Sequence, residues 1–391
     1  MPQNNISIIG LDCTGCGSCE AFCPKHAISM QLDNEGFWIP SVDNTCIDCG
    51  ACLKICHTTN NLDSRKSDIL SYAAVTQDEK LYKKSASGAI FGTIARDFLQ
   101  LYEGGYICGA AYVDNEVKHI LINRISDIVK LQNSKYVQSN TNGIFVAIKL
   151  LLKKGIPVLF SGTPCQVAGL KNYTKGINES LYTIDIICHG VPSPLFLKRN
   201  IANYYNLSQI SNIVFRWKNA LFKKSAYFLC LSQRKYGLPF PIRKIVSSNS
   251  DPYFSAFMKN GSFRYSCYRC HYANLNRVGD ITIGDCDSSN QYPNFLKKSA
   301  VSTVIINTDQ GVKLWDKCKS GIDYIDLDIE KEASVNHQLK KPAEMPEFRN
   351  TIYLDLVNMD ASDFRKKYGR IDPWYKEVLF QILDFIPYRF V

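Results

Sequence analysis

No apolar run in the 391-residue chain approaches the ~20 residues that span a bilayer, so no transmembrane segment is expected. The opening Met-Pro-Gln-Asn-Asn-Ile-Ser lacks a basic region followed by an apolar stretch, so no secretory signal is expected either. No glycine-rich G-x-G-x-x-G loop follows an expected strand, which speaks against a nicotinamide dinucleotide site. The formal charge of +10 comes without any nucleic-acid-binding module, so no nucleic-acid partner is expected. Low-complexity tracts are absent, and the one internal repeat is a pair of cysteine runs.

Those runs dominate the chain. Residues 13–24 read Cys-Thr-Gly-Cys-Gly-Ser-Cys-Glu-Ala-Phe-Cys-Pro, and residues 46–57 read Cys-Ile-Asp-Cys-Gly-Ala-Cys-Leu-Lys-Ile-Cys-His. Both have the spacing C-x2-C-x2-C-x3-C, in which three close thiolates hold one 4Fe-4S centre and the fourth reaches the other centre. The crossed pattern assigns Cys13, Cys16, Cys19 and Cys56 to one cluster, and Cys46, Cys49, Cys52 and Cys23 to the other. A disulfide framework or a zinc site is the alternative, but structural zinc sites use paired C-x2-C units rather than two quartets at one spacing. The second run ends in His57 where the first ends in Pro24, and a solvated neighbour rather than a ligand is expected there.

Sixteen cysteines without a secretory signal point to a reducing cytoplasm, where thiols serve metal or redox chemistry. Charge is uneven. Residues 1–62 hold Asp12, Glu20, Asp33, Glu35, Asp43 and Asp48 against Lys25 and Lys54, so the remainder is strongly basic and suited to an anionic cofactor or an acidic partner.

After a polar stretch at 60–68, the pattern becomes that of an α/β domain. A helix is expected over 89–102, strands over 106–113 and 117–122 joined by an Asp114-Asn115 turn, and a helix over 144–154. Strand 157–160 then leads into Ser161-Gly162-Thr163-Pro164-Cys165-Gln166, with Thr163 as N-cap and Pro164 as first helical residue. Free N–H groups at such a helix start suit a thiolate, a phosphate or a cluster, which makes Gly162, Thr163 and Gln166 cofactor-binding candidates. The same order repeats with strand 181–187, Cys188-His189-Gly190, and a helix from Pro194 to Tyr205. Both cysteines thus lie beyond strand carboxyl ends, where open α/β sheets bind ligands.

Residues 213–250 read as irregular, aromatic and basic. Cys267 and Cys270 follow as a C-x2-C pair, then a strand over 280–285. Cys165, Cys188, Cys267 and Cys270 together would hold a third 4Fe-4S cluster, a zinc ion, or nothing. Cys108 reads as a buried apolar residue. A strand over 301–308, a helix over 310–319 and an amphipathic helix over 374–391 complete the reading.

Ser87-Gly88-Ala89, Lys135-Tyr136-Val137-Gln138-Ser139, Gly162 to Gln166, Cys188-His189-Gly190, Cys267 to Cys270 and Gly279 to Asp285 occur in an order that resembles the family of coenzyme F420 hydrogenase/dehydrogenase beta subunits. The resemblance covers about residues 1–330. It implies an α+β ferredoxin-like N-terminal domain (1–62), an α/β flavin and iron-sulfur domain (71–330) and a C-terminal helical tail (331–391). It further implies FAD, contacted by Ser87, Gly88, Lys135, Tyr136, Gln138 and Ser139, and a third cluster on Cys165, Cys188, Cys267 and Cys270. The implied activity is hydride exchange with a deazaflavin or similar small carrier, coupled to one-electron transfer. His189 is the candidate proton donor, although a histidine beside a ligand also serves to orient its loop. Ala86, Ala89, Ile90 and Cys286 depart from the family pattern, which is richer in glycine before the helix. Bacterial chains of this kind resemble products of surface-polysaccharide gene clusters, which makes a polysaccharide-pathway substrate the rival to deazaflavin. No nickel-binding subunit is attached, so hydrogen activation by this chain alone is not expected. An electron-delivery subunit, docked to a catalytic partner protein through the acidic face of the N-terminal segment, is the alternative function.

Overall fold

The computed structural model describes residues 4–60, 69–177, 179–218, 226–233, 241–292, 300–370 and 372–384. Thirteen strands are named here in chain order: β1 (Ile28–Leu32), β2 (Trp38–Val42), β3 (Leu70–Thr76), β4 (Tyr106–Val113), β5 (Glu116–Ile122), β6 (Val158–Gly162), β7 (Leu181–Ile186), β8 (Ile210–Trp217), β9 (Ala226–Gln233), β10 (Ile242–Ser247), β11 (Ile281–Asp285), β12 (Ser302–Ile306) and β13 (Ile322–Asp326).

Eight of them form one mixed sheet in the order β13-β3-β12-β11-β7-β6-β4-β5. The central run β4-β6-β7-β11 is parallel, and antiparallel strands close it on both sides. Alternation along β6 shows why helices cover both faces. Leu159 joins the layer beneath helices Ile90–Leu101 and Asp309–Cys318, while Val158 and Phe160 join the layer beneath Ile144–Lys153 and Pro164–Tyr173. The β4–β5 hairpin turns at Asp114 (φ 53°) and Asn115 (φ 61°), the left-handed pair that a two-residue hairpin needs and these residue types tolerate.

The helix expected over 89–102 runs Ile90–Leu101, and its N-cap is Ala89 at φ 66°. That is a glycine conformation held by a side-chain-bearing residue. Cys108 is fully buried in the core, as expected.

One expectation needs correction. Residues 213–250 are not irregular where described, because β8, β9 and β10 form a three-stranded antiparallel sheet. Register shifts between Ile210 and Asn212 and between Val214 and Arg216 break the alternation by which β8 would be recognised. The segment after residue 330 is helical and packs on the core. Helices Arg349–Asn358 and Ala361–Tyr368 contribute Ile352, Tyr353, Leu356 and Phe364 to the core shared with β8 and β9. Helix Trp374–Asp384 lays Phe380 and Leu383 on Trp217 and Phe228; the rest of the expected helix, 385–391, lies outside the described residues.

The N-terminal segment pairs β1 with β2 and has two short helices, Ser18–Phe22 and Ala51–Ile55, each entered through a left-handed glycine, Gly17 (φ 83°) and Gly50 (φ 71°). It is bound tightly to the body. Arg349, fully buried, makes a two-pronged ion pair with Glu35 at 2.6 Å to each oxygen, and Arg264 donates to the carbonyls of Cys13 (2.6 Å) and Trp38 (2.9 Å). Arg269 pairs with Asp12 at 2.9 Å. Two of the six acids that made this segment look like an external docking face are therefore turned onto the body's own arginines.

Candidate redox site

The crossed cysteine pattern is reproduced in space. One small cavity is lined by Cys13, Cys16, Cys19 and Cys56, and a second by Cys23, Cys46, Cys49 and Cys52. Both are lined wholly by the N-terminal segment; the first, here the inner site, lies against the body, where Thr141 donates to the Cys16 carbonyl at 2.9 Å, and the second, the outer site, has exposed Cys49. Helix Pro164–Tyr173 packs against the inner site so closely that a Cβ on Gly169 would lie 2.9 Å from Cys16 Sγ.

Cys165, Cys188, Cys267 and Cys270 line a third cavity of about 50 Å³, the body site. Cys165 lies in the first turn after β6 and Cys188 just beyond β7, the adjacent parallel strand; Cys267 and Cys270 come from the short helical turn Tyr265–Arg269 and the residue after it. Thr163 caps the helix together with Gln166 in a capping box, and its hydroxyl lies 3.1 Å from Cys165 Sγ.

The chemistry of the donor set decides what fits. Burial pushes the Cys165 thiol up to about 12 and Cys267 to about 11, and raises Cys188 well above its ordinary value. Four such thiols become thiolates together only when a cationic centre offsets their charge. Among the described residues no group of three His, Cys, Asp or Glu side chains converges on a single metal ion. Four thiols around one cavity suit a 4Fe-4S cluster or a tetrahedral zinc ion.

A larger cavity, about 280 Å³, opens along the carboxyl edge of the sheet. Of the residues expected to contact a dinucleotide, Ser87, Lys135, Tyr136, Ser139, Gly162, Thr163 and Gln166 line it, and so does His189. Ser139 sits between His119 Nδ1 (3.0 Å) and Gln166 Nε2 (3.0 Å), which fixes the wall. Burial lowers Lys135 to about 7, and its ammonium donates to the carbonyls of Lys130 (3.2 Å) and Gln132 (2.6 Å). His189 is exposed to the cavity, and its pKa is lowered, first by desolvation.

Two expected contacts fall elsewhere. Gly88 is absorbed into the sheet, its N–H donating to Ser302 Oγ (2.9 Å) and its carbonyl accepting from Thr76. Gln138 reaches the N-terminal segment, where its Oε1 accepts from the Trp38 N–H at 2.8 Å. Several basic residues of the body are engaged in ion pairs. Lys118 pairs with Asp114, Arg243 with Asp384, and Arg216 with Asp285.

His57 was expected in solvent and is instead 1% exposed. Its Nε2 lies 2.9 Å from Thr14 Oγ1 and its Nδ1 2.9 Å from the Tyr272 hydroxyl, so neither nitrogen is left to bind metal. Burial lowers its pKa to about 4, which keeps the ring neutral. The signal in the sequence was the departure from Pro24; its partner, 215 residues away, had no local signature.

Two family models together cover all three cysteine quartets. Residues 157–330, which hold the four body-site cysteines, match the family described as the C terminus of the coenzyme F420 hydrogenase/dehydrogenase beta chain. Residues 12–61, which hold the other eight, match the 4Fe-4S dicluster domain. A curated relative, the F component of the F(420)H(2) dehydrogenase of Methanosarcina mazei, is 21% identical over 199 residues, or 47% of this chain. The chain spans only 55% of that relative's length. Among solved structures, a chain of the F420-reducing [NiFe] hydrogenase complex from Methanosarcina barkeri is similar with a TM-score of 0.48 and 14% identity, over 80% of this chain and 98% of that one.

Proposed function

Because the chain belongs to the family of coenzyme F420 hydrogenase/dehydrogenase beta subunits and carries a 4Fe-4S dicluster segment, we propose that it is an iron-sulfur flavoprotein oxidoreductase. It exchanges hydride with a small deazaflavin-type carrier in the large cavity and passes single electrons through three four-cysteine sites to a redox partner protein. The observation that carries this reading is that the large cavity, the body site and the inner site stand in series. The large cavity shares Thr163, Cys188, His189, Gly190 and Val191 with the body site, and the body site shares Thr14 and His57 with the inner site.

Within that series the residues have distinct tasks. Apolar side chains such as Ile90, Val137 and Phe257 offer a surface for a flat ring system, while Ser87, Lys135 and Ser139 offer polar contacts at intervals, the mixed lining of a cofactor site. When bound, FAD would supply the hydride chemistry and the clusters the one-electron steps. His189 stands on the wall common to the large cavity and the body site, where its imidazole can hold or give a proton. Thr163 and Gln166 hold the helix start that presents Cys165. Exposed Cys49 marks the outer end of the series, where a partner can approach.

That exposed end also favours a second reading, an electron-delivery subunit without its own carrier site. One anaerobic experiment separates the two. Reduced deazaflavin, NADH, NADPH and reduced ferredoxin are mixed separately with the holoprotein, and flavin and cluster absorbance is followed. The proposal expects rapid bleaching by reduced deazaflavin with the isolated chain; bleaching by NADH or NADPH alone, or by reduced ferredoxin alone, contradicts it.

A further inference from the structure

The two cysteine runs share one spacing, so the N-terminal segment is nearly the same seen from either end, yet only one end meets the body. The difference falls one residue after each fourth cysteine. Pro24, after Cys23, is exposed and lines the outer site. His57, after Cys56, is buried between the inner site and the body site and lines both cavities.

Its partners form a continuous path. The Tyr272 N–H donates to Cys270 Sγ at 3.4 Å, and the Tyr272 hydroxyl meets His57 Nδ1 at 2.9 Å. His57 adjoins Cys56 in the chain, and its other nitrogen meets Thr14 Oγ1, one residue from Cys13. A cysteine of the body site is therefore joined to cysteines of the inner site through two side chains. Tyr272 is 5% exposed, its ring lies 5.6 Å from the imidazole, and the buried Arg277 guanidinium holds its loop by donating to the carbonyls of Tyr272 and Ile186. The equivalent position in the first run, a proline, has no imidazole with which to make such a link.

We propose that His57, held between Thr14 and Tyr272, is a positioning residue that selects which end of the N-terminal segment faces the body and couples the body site to the inner site. This rests on the proposed electron-transfer function. In the coupled step one electron leaves the body site, which is oxidised, and enters the inner site, which is reduced; no bond forms or breaks, and the reduced deazaflavin carrier is the electron source. Hydrogen bonds that fix two partners in register act on rate because small displacements are costly in any step that depends on distance.

The test uses Tyr272→Phe, which removes one hydroxyl and keeps the ring, and His57→Phe, which keeps a planar ring and removes both hydrogen bonds. Each holoprotein is first assayed for iron and for three separate cluster signals by electron paramagnetic resonance. It is then mixed with reduced deazaflavin and freeze-quenched, so that the arrival of electrons at the body and inner sites is timed separately. In both variants the body-site signal should appear at the wild-type rate, and the inner-site signal should be delayed severalfold. His57→Gln, which can restore the bond to Tyr272, should recover part of the delay. Wild-type timing in Tyr272→Phe with all three signals present overturns the proposal. If His57→Phe loses inner-site iron, Tyr272→Phe decides alone. Wild-type protein that lacks a body-site signal, or is not reduced by the carrier, refutes the electron-transfer function itself and takes this proposal with it.

Discussion

Gly169→Ala places one methyl group at a tight contact between body and N-terminal segment. The new Cβ would lie 2.5 Å from Ser18 Oγ, 2.9 Å from Cys16 Sγ and 3.2 Å from Cys16 Cβ. Ser18 would have to retreat by roughly 0.9 Å to reach ordinary contact. Neither neighbour moves freely: Ser18 is 1% exposed and opens a helix, and Cys16 belongs to the inner site. In an unconstrained helix interior the same change would stabilise by about 1 kcal/mol. Overpacking costs ~1–3 kcal/mol, which offsets that gain and leaves a net loss of about 0–2 kcal/mol. The assay is the denaturant midpoint of the iron-loaded protein under anaerobic conditions, together with the inner-site resonance signal. Gly321→Ala is the control, since its new methyl meets only the flexible tip of Arg96 at 3.2 Å and a Thr93 methyl at 3.7 Å, and it should stay within ~0.5 kcal/mol of wild type. A Gly169→Ala protein that is more stable than wild type, with an unchanged inner-site signal, would refute the claim that helix Pro164–Tyr173 and the inner site are packed this closely.

Other outcomes follow from single contacts. Arg349→Met leaves Glu35 without its partner, and Glu35→Gln leaves the fully buried arginine without its counter-charge; each should lower stability by up to about 3–5 kcal/mol in denaturant titration. Ala89→Gly relieves a φ of 66° and should raise the midpoint by about 0.5–1 kcal/mol, the left-handed penalty outweighing the added freedom of the unfolded chain. Burial lowers Lys218 to about 7, so below that pH both folded and unfolded chains carry its proton and the folded state bears the full cost of a buried cation. As pH rises from about 7 toward the ordinary lysine value of 10.5, the folded state sheds that proton first and is relatively stabilised. Denaturant titrations of the cofactor-free protein against Lys218→Met should therefore show the wild type gaining on the variant across that window; a constant difference would contradict it.

Where chemistry fixed the spacing, the sequence was easy to read. The two C-x2-C-x2-C-x3-C runs could be paired crosswise from spacing alone, and the structure lines two cavities with those same quartets. Thr163 and Pro164 announced the helix that presents Cys165, because capping is local chemistry. Contacts between distant segments left no such trace. Nothing near Gln138 showed that it would bind Trp38, a hundred residues away, and nothing near His57 pointed to Tyr272. The strands of residues 210–247 were missed because bulges disturb their alternation, and the acidic N-terminal segment looked like an external face because ion pairs such as Glu35 with Arg349 are invisible to composition.

The central claim is that three four-cysteine sites stand in series behind the large cavity, and an anaerobic iron count joined to resonance spectroscopy tests it most directly. Reconstituted wild-type protein should hold about twelve iron atoms in three 4Fe-4S signals. Replacing both Cys267 and Cys270 with serine should remove about four of those irons and one signal while sparing the other two. About eight irons with one zinc in the wild type, and no change of signals in the double variant, would contradict the account.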